Sequence, residues 1–181
     1  MPRAKLIRSS QFPYHITSRS NNKEWFYIPT QDVWKYSLEL LSQGHNKFEV
    51  KLDAFVLMSN HYHMCVYTPQ ANIDEFMQFF NKNLGTKISR QAGRINRIFG
   101  APYKWNIIRD DNYYQHVIRY IYQNPLRAGL VTKCEDYPYS DIMKQGFGRQ
   151  EIEWMNSFLP IKESNSTVSY THLTLPTKCS V

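Results

Sequence analysis

The 181-residue chain is 42% hydrophobic and 15% aromatic, which excludes a disordered polypeptide and suits one domain with a two-layer core. Its formal net charge of +7 makes a polyanionic partner the first expectation. Three widely spaced cysteines fit neither a disulfide framework nor a zinc knuckle, and no run approaches the length of a membrane span, so a soluble cytoplasmic protein without a membrane partner is expected.

Phe12 to Ser18 alternates as a first strand, and Arg19-Ser-Asn-Asn22 reads as a polar turn. Arg19 is either a phosphate contact at the mouth of a site or a solvated loop charge. Between Thr30 and Gln43 the spacing of Val33, Trp34, Ser37, Leu38 and Leu41 predicts a helix, with Thr30 as N-cap and Gly44 just past its end. Phe48 to Met58 reads as a second strand, Ser59-Asn60 as a tight connection, and His61 to Thr68 as a third strand. Strand side chains repeat every two residues, so His61 and His63 share one face while Tyr62 points to the other. Two imidazoles so held can chelate a divalent ion, although such pairs also arise by chance. Cys65 shares that face and reads as a small core residue, because a thiolate there would favour zinc over the hard cation that phosphodiester chemistry uses.

Pro69 ends the third strand, and Asn72 with Glu75 forms a variant capping box opening a second helix. Ile73, Phe76, Met77, Phe80, Leu84 and Ile88 are its apolar stripe. Lys82, Lys87 and Arg90 lie opposite, and the loop from Gly93 to Gly100 adds Arg94 and Arg97. Those cations suit phosphate contacts beside aromatic stacking, and equally a solvated helix face. Tyr103 to Arg109 alternates as a fourth strand. Asp110-Asp111 caps a third helix from about Asn112, which Pro125 is expected to end. The element order predicts an α+β, ferredoxin-like βαββαβ antiparallel sheet with helices on one face, plus the added third helix.

On that helix Tyr120 and Asn124 lie one turn apart on one face. If it crosses the strand of His61 and His63, the two imidazoles and the Asn124 amide oxygen can bind Mg²⁺ or Mn²⁺. Tyr120 can then attack a phosphodiester polarised by the ion, leaving a resealable 5′-phosphotyrosine. Tyr113 is nearly eclipsed with Tyr120 and Tyr122 faces away, so spacing alone leaves the choice of tyrosine open. Asn124 by itself reads as a helix-end residue before proline.

Asn60-His61-Tyr62-His63 after an apolar strand, followed by Arg119-Tyr-Ile-Tyr-Gln-Asn-Pro-Leu-Arg-Ala-Gly-Leu-Val131, resembles the small single-tyrosine HUH transposases. Within them the likeness is to the branch of REP-associated tyrosine transposases. Shared features run from about Phe12 to Ile142 and include His15-Ile-Thr-Ser-Arg19, Tyr103-Lys104 and Asp136-Tyr-Pro-Tyr-Ser140. The resemblance implies an HUH nuclease fold over residues 1–145, with His61 and His63 as metal ligands, Asn124 at the third-ligand position and Tyr120 as nucleophile. It also implies that hairpin-forming single-stranded DNA is cut and joined. Arg19, Lys82, Lys87, Arg90, Arg94, Arg97, Lys104 and Arg127 are the expected DNA contacts, and both a monomer and a homodimer are compatible with the reading.

Two other classes compete. A domesticated nucleic-acid-binding domain without chemistry has no need of His61, His63, Tyr120 and Asn124 together. An HUH replication initiator or relaxase is disfavoured by the short chain and the single well-placed tyrosine. Residues 146–164 form an extension in which Glu151, Ile152, Trp154, Met155 and Phe158 have helical spacing. Val168 to Val181 resembles translated sequencing-adapter read-through, and residues 165–181 are expected to be a non-native or disordered tail.

Overall fold

The computed structural model describes residues 6–156. Strands β1 (Tyr14–Arg19), β2 (Lys51–Leu57), β3 (His61–Tyr67) and β4 (Lys104–Ile107) form one antiparallel sheet in the order β2-β3-β1-β4. Helices α1 (Thr30–Phe48) and α2 (Ile73–Gln91) complete the expected βαββαβ pattern, and α3 (Asp111–Arg127) and α4 (Arg149–Asn156) follow it.

Alternation along the strands sorts side chains between two cores. Tyr14, Ile16, Tyr62, Met64 and Val66 pack with α1 and the apolar stripe of α2, all six of whose members are buried. Ala54, Val56 and Cys65 point the other way and pack with Val117, Ile118, Ile121 and Tyr122 of α3. The added helix therefore lies across the sheet face that α1 and α2 leave open.

Several boundaries differ from expectation for identifiable reasons. Helix α1 runs through Gly44 to Phe48 and ends at Glu49, which takes a left-handed conformation with φ 56°. Gly44 is a packing residue and no stop signal, since a Cβ there would lie 2.5 Å from Phe76 Cε2. Thr30 is the first helical residue behind Pro29 and not the N-cap, and the second strand starts at Lys51, not Phe48. The Asn72–Glu75 box does not form; Asn72 Nδ2 instead donates to the Phe48 carbonyl at 3.1 Å, linking the ends of α1 and α2. Asp110 caps α3 as expected, accepting from Asn112 N at 2.8 Å. Pro125 does not end that helix. Its missing N–H orphans the Ile121 carbonyl, and Asn124 Nδ2 reaches that oxygen at 3.3 Å, so α3 continues to Arg127.

After α3 the chain wraps the outer edge of β2. Leu57 N donates to Tyr139 O at 2.9 Å and Asp141 N to Phe55 O at 3.1 Å, which covers an edge that would otherwise be free to pair. The buried Asp141 carboxylate accepts from Phe55 N at 2.7 Å and from the Tyr122 hydroxyl at 3.0 Å, joining wrap, strand and α3. Helix α4 lies within the expected extension and packs into the second core through Met155, while Gln123 Nε2 donates to the Met155 carbonyl at 2.7 Å. Phe158 and the tail at 165–181 lie outside the described residues.

Candidate active site

Register places the polar residues of the α3-facing sheet surface. On β1 and β3 the pairs are His15↔Cys65, Thr17↔His63 and Arg19↔His61, and Thr17 also faces Lys104 of β4. Paired residues point the same way, so His15, Thr17, Arg19, His61, His63 and Lys104 share one surface. Helix α3 lays Tyr120 over it. The Tyr120 ring centroid is 5.5 Å from that of His63 and 5.7 Å from that of His15, both edge-on, and the His61 and His63 rings are 5.2 Å apart.

Hydrogen bonds decide which imidazole nitrogens face the site. His61 Nδ1 lies 2.6 Å from Asn60 Oδ1, and the Asn60 amide is oriented by its Nδ2 donating to the Lys23 carbonyl at 2.6 Å. An amide oxygen only accepts, so His61 carries its proton on Nδ1 and keeps the Nε2 lone pair. His63 Nδ1 is engaged by Thr17 Oγ1 at 2.9 Å and His15 Nε2 at 3.1 Å, which leaves Nε2 as its remaining nitrogen. Burial pulls the His61 pKa down to about 4 and that of His63 well below its ordinary value, with Arg19's charge adding to both. Both rings are therefore neutral near pH 7, the form a metal ligand requires.

This donor set fits a divalent cation. Among the described residues no three of His, Cys, Asp and Glu are grouped to hold an ion. Asn124 lies one turn from Tyr120 on α3, and its Nδ2 donates to the Tyr120 and Ile121 carbonyls, at 2.7 and 3.3 Å, fixing the amide with its nitrogen toward the helix backbone and its oxygen free of those bonds. Cys65 packs in the second core beneath α3, where burial and the neighbouring Asp53, whose Oδ2 is 3.8 Å from Sγ, push its thiol far above the ordinary range.

The eight expected DNA-contacting cations separate into groups. Arg19 and Lys104 lie on the site surface, and Arg127 Cζ stands 5.7 Å from the Tyr120 ring centroid. Arg94 and Arg97 belong to the loop at the Arg19 end of the sheet, where Arg97 O accepts from Asn21 Nδ2 at 2.7 Å. Lys82, Lys87 and Arg90 sit on α2, across the sheet from Tyr120, and Lys87 is paired with Glu39 at 3.0 Å. His15 was not among the expected site residues. Its period-two spacing from Thr17 and Arg19 is visible in the sequence, but only the β1–β3 register brings it to His63.

Residues 8–124 match the family model described as Transposase IS200 like, a span that includes His61, His63, Tyr120 and Asn124. The chain is 26% identical over 105 residues to the REP-associated tyrosine transposase of Escherichia coli (strain K12). That match covers 58% of this chain and 62% of the relative, so the chain spans less than two thirds of the relative's length. The fold is similar to a REP-associated tyrosine transposase solved bound to a REP hairpin, with a TM-score of 0.65 and 20% identity over 80% of this chain and 84% of the other.

Proposed function

The chain belongs to the IS200-like transposase family, and from that membership we propose that it is a metal-dependent, single-tyrosine strand transferase acting on single-stranded DNA beside a hairpin. The observation that carries the reading is Tyr120 standing edge-on to His63, 5.5 Å between centroids, above a pair of neutral imidazoles. A protein that only bound DNA would have no need of His61, His63, Tyr120 and Asn124 together.

His61 Nε2, His63 Nε2 and the Asn124 amide oxygen would hold Mg²⁺ or Mn²⁺. When bound, the ion polarises the scissile phosphodiester and stabilises the charge that builds on its oxygens. Arg19, Lys104 and Arg127 surround the site with positive charge and orient the phosphate. Tyr120 Oη forms a bond to phosphorus and gives up its proton to solvent, while the P–O3′ bond breaks and the departing oxygen takes up a proton. The products are a 5′-phosphotyrosine and a free 3′-hydroxyl. Attack by the 3′-hydroxyl of another end reverses the step without ATP, because the phosphodiester-like bond is retained on Tyr120.

The hairpin is carried over from the REP hairpin bound by the similar solved protein. Among the described residues no helix is long and apolar enough to cross a membrane. The test is incubation with labelled single-stranded hairpin DNA from the gene's flanks, with Mn²⁺ or EDTA, beside Tyr120→Phe. An SDS-resistant adduct that needs Mn²⁺ and disappears in Tyr120→Phe is the expected result. Tight binding with no adduct on any flanking hairpin would favour a domesticated binder, and an adduct that persists in Tyr120→Phe would reject this nucleophile.

A further inference from the structure

Trp25 is 76% exposed, an unusual position for the largest apolar side chain. It does not sit on a loose excursion. Ser20 N donates to Asn60 O at 2.9 Å, Phe26 N to Ser59 O at 3.1 Å and Asn21 N to Ile98 O at 2.8 Å, so the chain is held on both sides of the indole. Phe26 is buried against Phe99, with centroids 5.9 Å apart. Gly100 allows the close approach of the two loops, since a Cβ there would overlap the Asn21 side chain.

These contacts join the loop to the candidate active site. Asn60 bonds His61 Nδ1 with its oxygen and the Lys23 carbonyl with its nitrogen, so one side chain bridges a candidate ligand and the segment carrying Trp25. Arg19, opposite His61, is the last residue of β1 before that segment. The segments that carry and hold the indole are aromatic and cationic. Two residues beyond Trp25, Tyr27 has the Arg94 guanidinium over its ring, with Cζ 3.6 Å from the centroid, and Lys23 and Arg97 are exposed. Glu24 is the one acidic side chain between Ser18 and Thr30, and there is none between Gly93 and Gly100.

We propose that Trp25 and the Arg94–Tyr27 stack form a base-stacking platform for the unpaired nucleotides that flank the hairpin, leading the strand to Tyr120. The inference rests on the proposed DNA reading and assigns a surface to it. Flat aromatic and guanidinium faces beside phosphate-binding cations take single-stranded nucleic acid with little regard to sequence. A duplex hides its base faces and would gain nothing from the indole.

The test is fluorescence anisotropy at fixed salt with three labelled probes: an oligothymidylate of about 12 nucleotides, a blunt hairpin, and the same hairpin with a single-stranded flank. Trp25→Ala is expected to weaken binding of the oligothymidylate and the flanked hairpin by about 5- to 100-fold, with blunt-hairpin affinity unchanged. Trp25→Phe, which keeps a ring, should stay within about threefold of the parent. A melting curve for each variant establishes that it is folded. Equal affinity of Trp25→Ala and parent for the oligothymidylate overturns the platform, as does a loss of equal size on the blunt hairpin. If the parent forms the Tyr120 adduct and Trp25→Ala binds normally, only the platform fails; if the parent binds none of the probes, the DNA reading fails with it. Loss of self-association in Trp25→Ala with DNA affinity intact would make the indole a contact between copies and reject the proposal.

Discussion

His15 Nε2 lies 3.1 Å from His63 Nδ1, and the two rings stack with centroids 5.4 Å apart. With His63 Nδ1–H as donor, His15 Nε2 and Thr17 Oγ1, at 2.9 Å, share the acceptor role that fixes the tautomer and ring plane of the imidazole, leaving Nε2 for a metal. Such outer partners are commonly worth 10- to 100-fold in metal affinity. His15→Phe keeps the stack and removes one of the two acceptors, so Mn²⁺ affinity should fall by about that factor. His15→Gln, which retains an accepting oxygen, should recover most of it. Electron paramagnetic resonance of free Mn²⁺ during titration reads the affinity directly; an unchanged His15→Phe variant would remove His15 from the site.

The same cluster gives the metal-free protein an acid limit. Burial lowers His15 and His61 to about 4 and His63 well below its ordinary value, whereas the unfolded chain takes up these protons near its ordinary histidine value of about 6.5. The unfolded state therefore binds more protons between those limits. The stability is complete above about pH 6.5 and is lost as the pH falls toward 4. Asp53 and Asp141, raised by burial, act in the opposite sense and offset part of that loss. Melting in EDTA should drop on the order of 5 °C between pH 7 and pH 5, and less steeply in His15→Phe. A flat profile would mean that these rings are hydrated.

Arg127 and Tyr120 are seven residues apart on α3, nearly two turns, and the guanidinium carbon stands 5.7 Å from the phenol centroid. A fixed cation there favours the phenolate developing during attack and the phosphate it meets. Arg127→Ala should slow adduct formation by about 10-fold with little change in hairpin affinity, and Arg127→Lys, which lacks the planar fork, should fall between. Single-turnover rates at saturating DNA separate the two effects. Affinity lost without any change in rate would make Arg127 an ordinary phosphate contact.

Period and parity made much of this readable in advance. His61 and His63 on one strand face, the α2 stripe and the Asp110 cap depend only on neighbours in sequence, and each is found as expected. What failed depended on contacts between elements. Gly44 looks like a helix end until Phe76 is seen against it, and Pro125 looks like a stop until Asn124 is seen reaching the Ile121 carbonyl. His15 carries no local mark of its role, which comes from strand register. The separation of Lys82, Lys87 and Arg90 from Tyr120 was likewise hidden, because a sequence does not say which sheet face a helix will cover.

Gly44 and Gly85 offer a test in which two effects of known size compete. Both are inside helices, where alanine is favoured over glycine by about 1 kcal/mol. At Gly85 the added Cβ would meet Phe99 Cδ2 at 3.7 Å and Ile98 Cβ at 3.9 Å, ordinary contact distances, so Gly85→Ala should stabilise the protein. At Gly44 the same atom would lie 2.5 Å from the Phe76 ring, which is fully buried and packed against Phe48 and Phe80. Overpacking of that kind costs about 1–3 kcal/mol, enough to reverse the helical gain. Gly44→Ala should therefore lower the melting temperature by about 2–4 °C per net kcal/mol lost, while Gly85→Ala raises it. Neither residue touches the His61–His63–Tyr120 surface, so the adduct assay should be unchanged in both. A stabilised Gly44→Ala would show that Phe76 moves aside freely and that α1 and α2 pack less closely than their contact here.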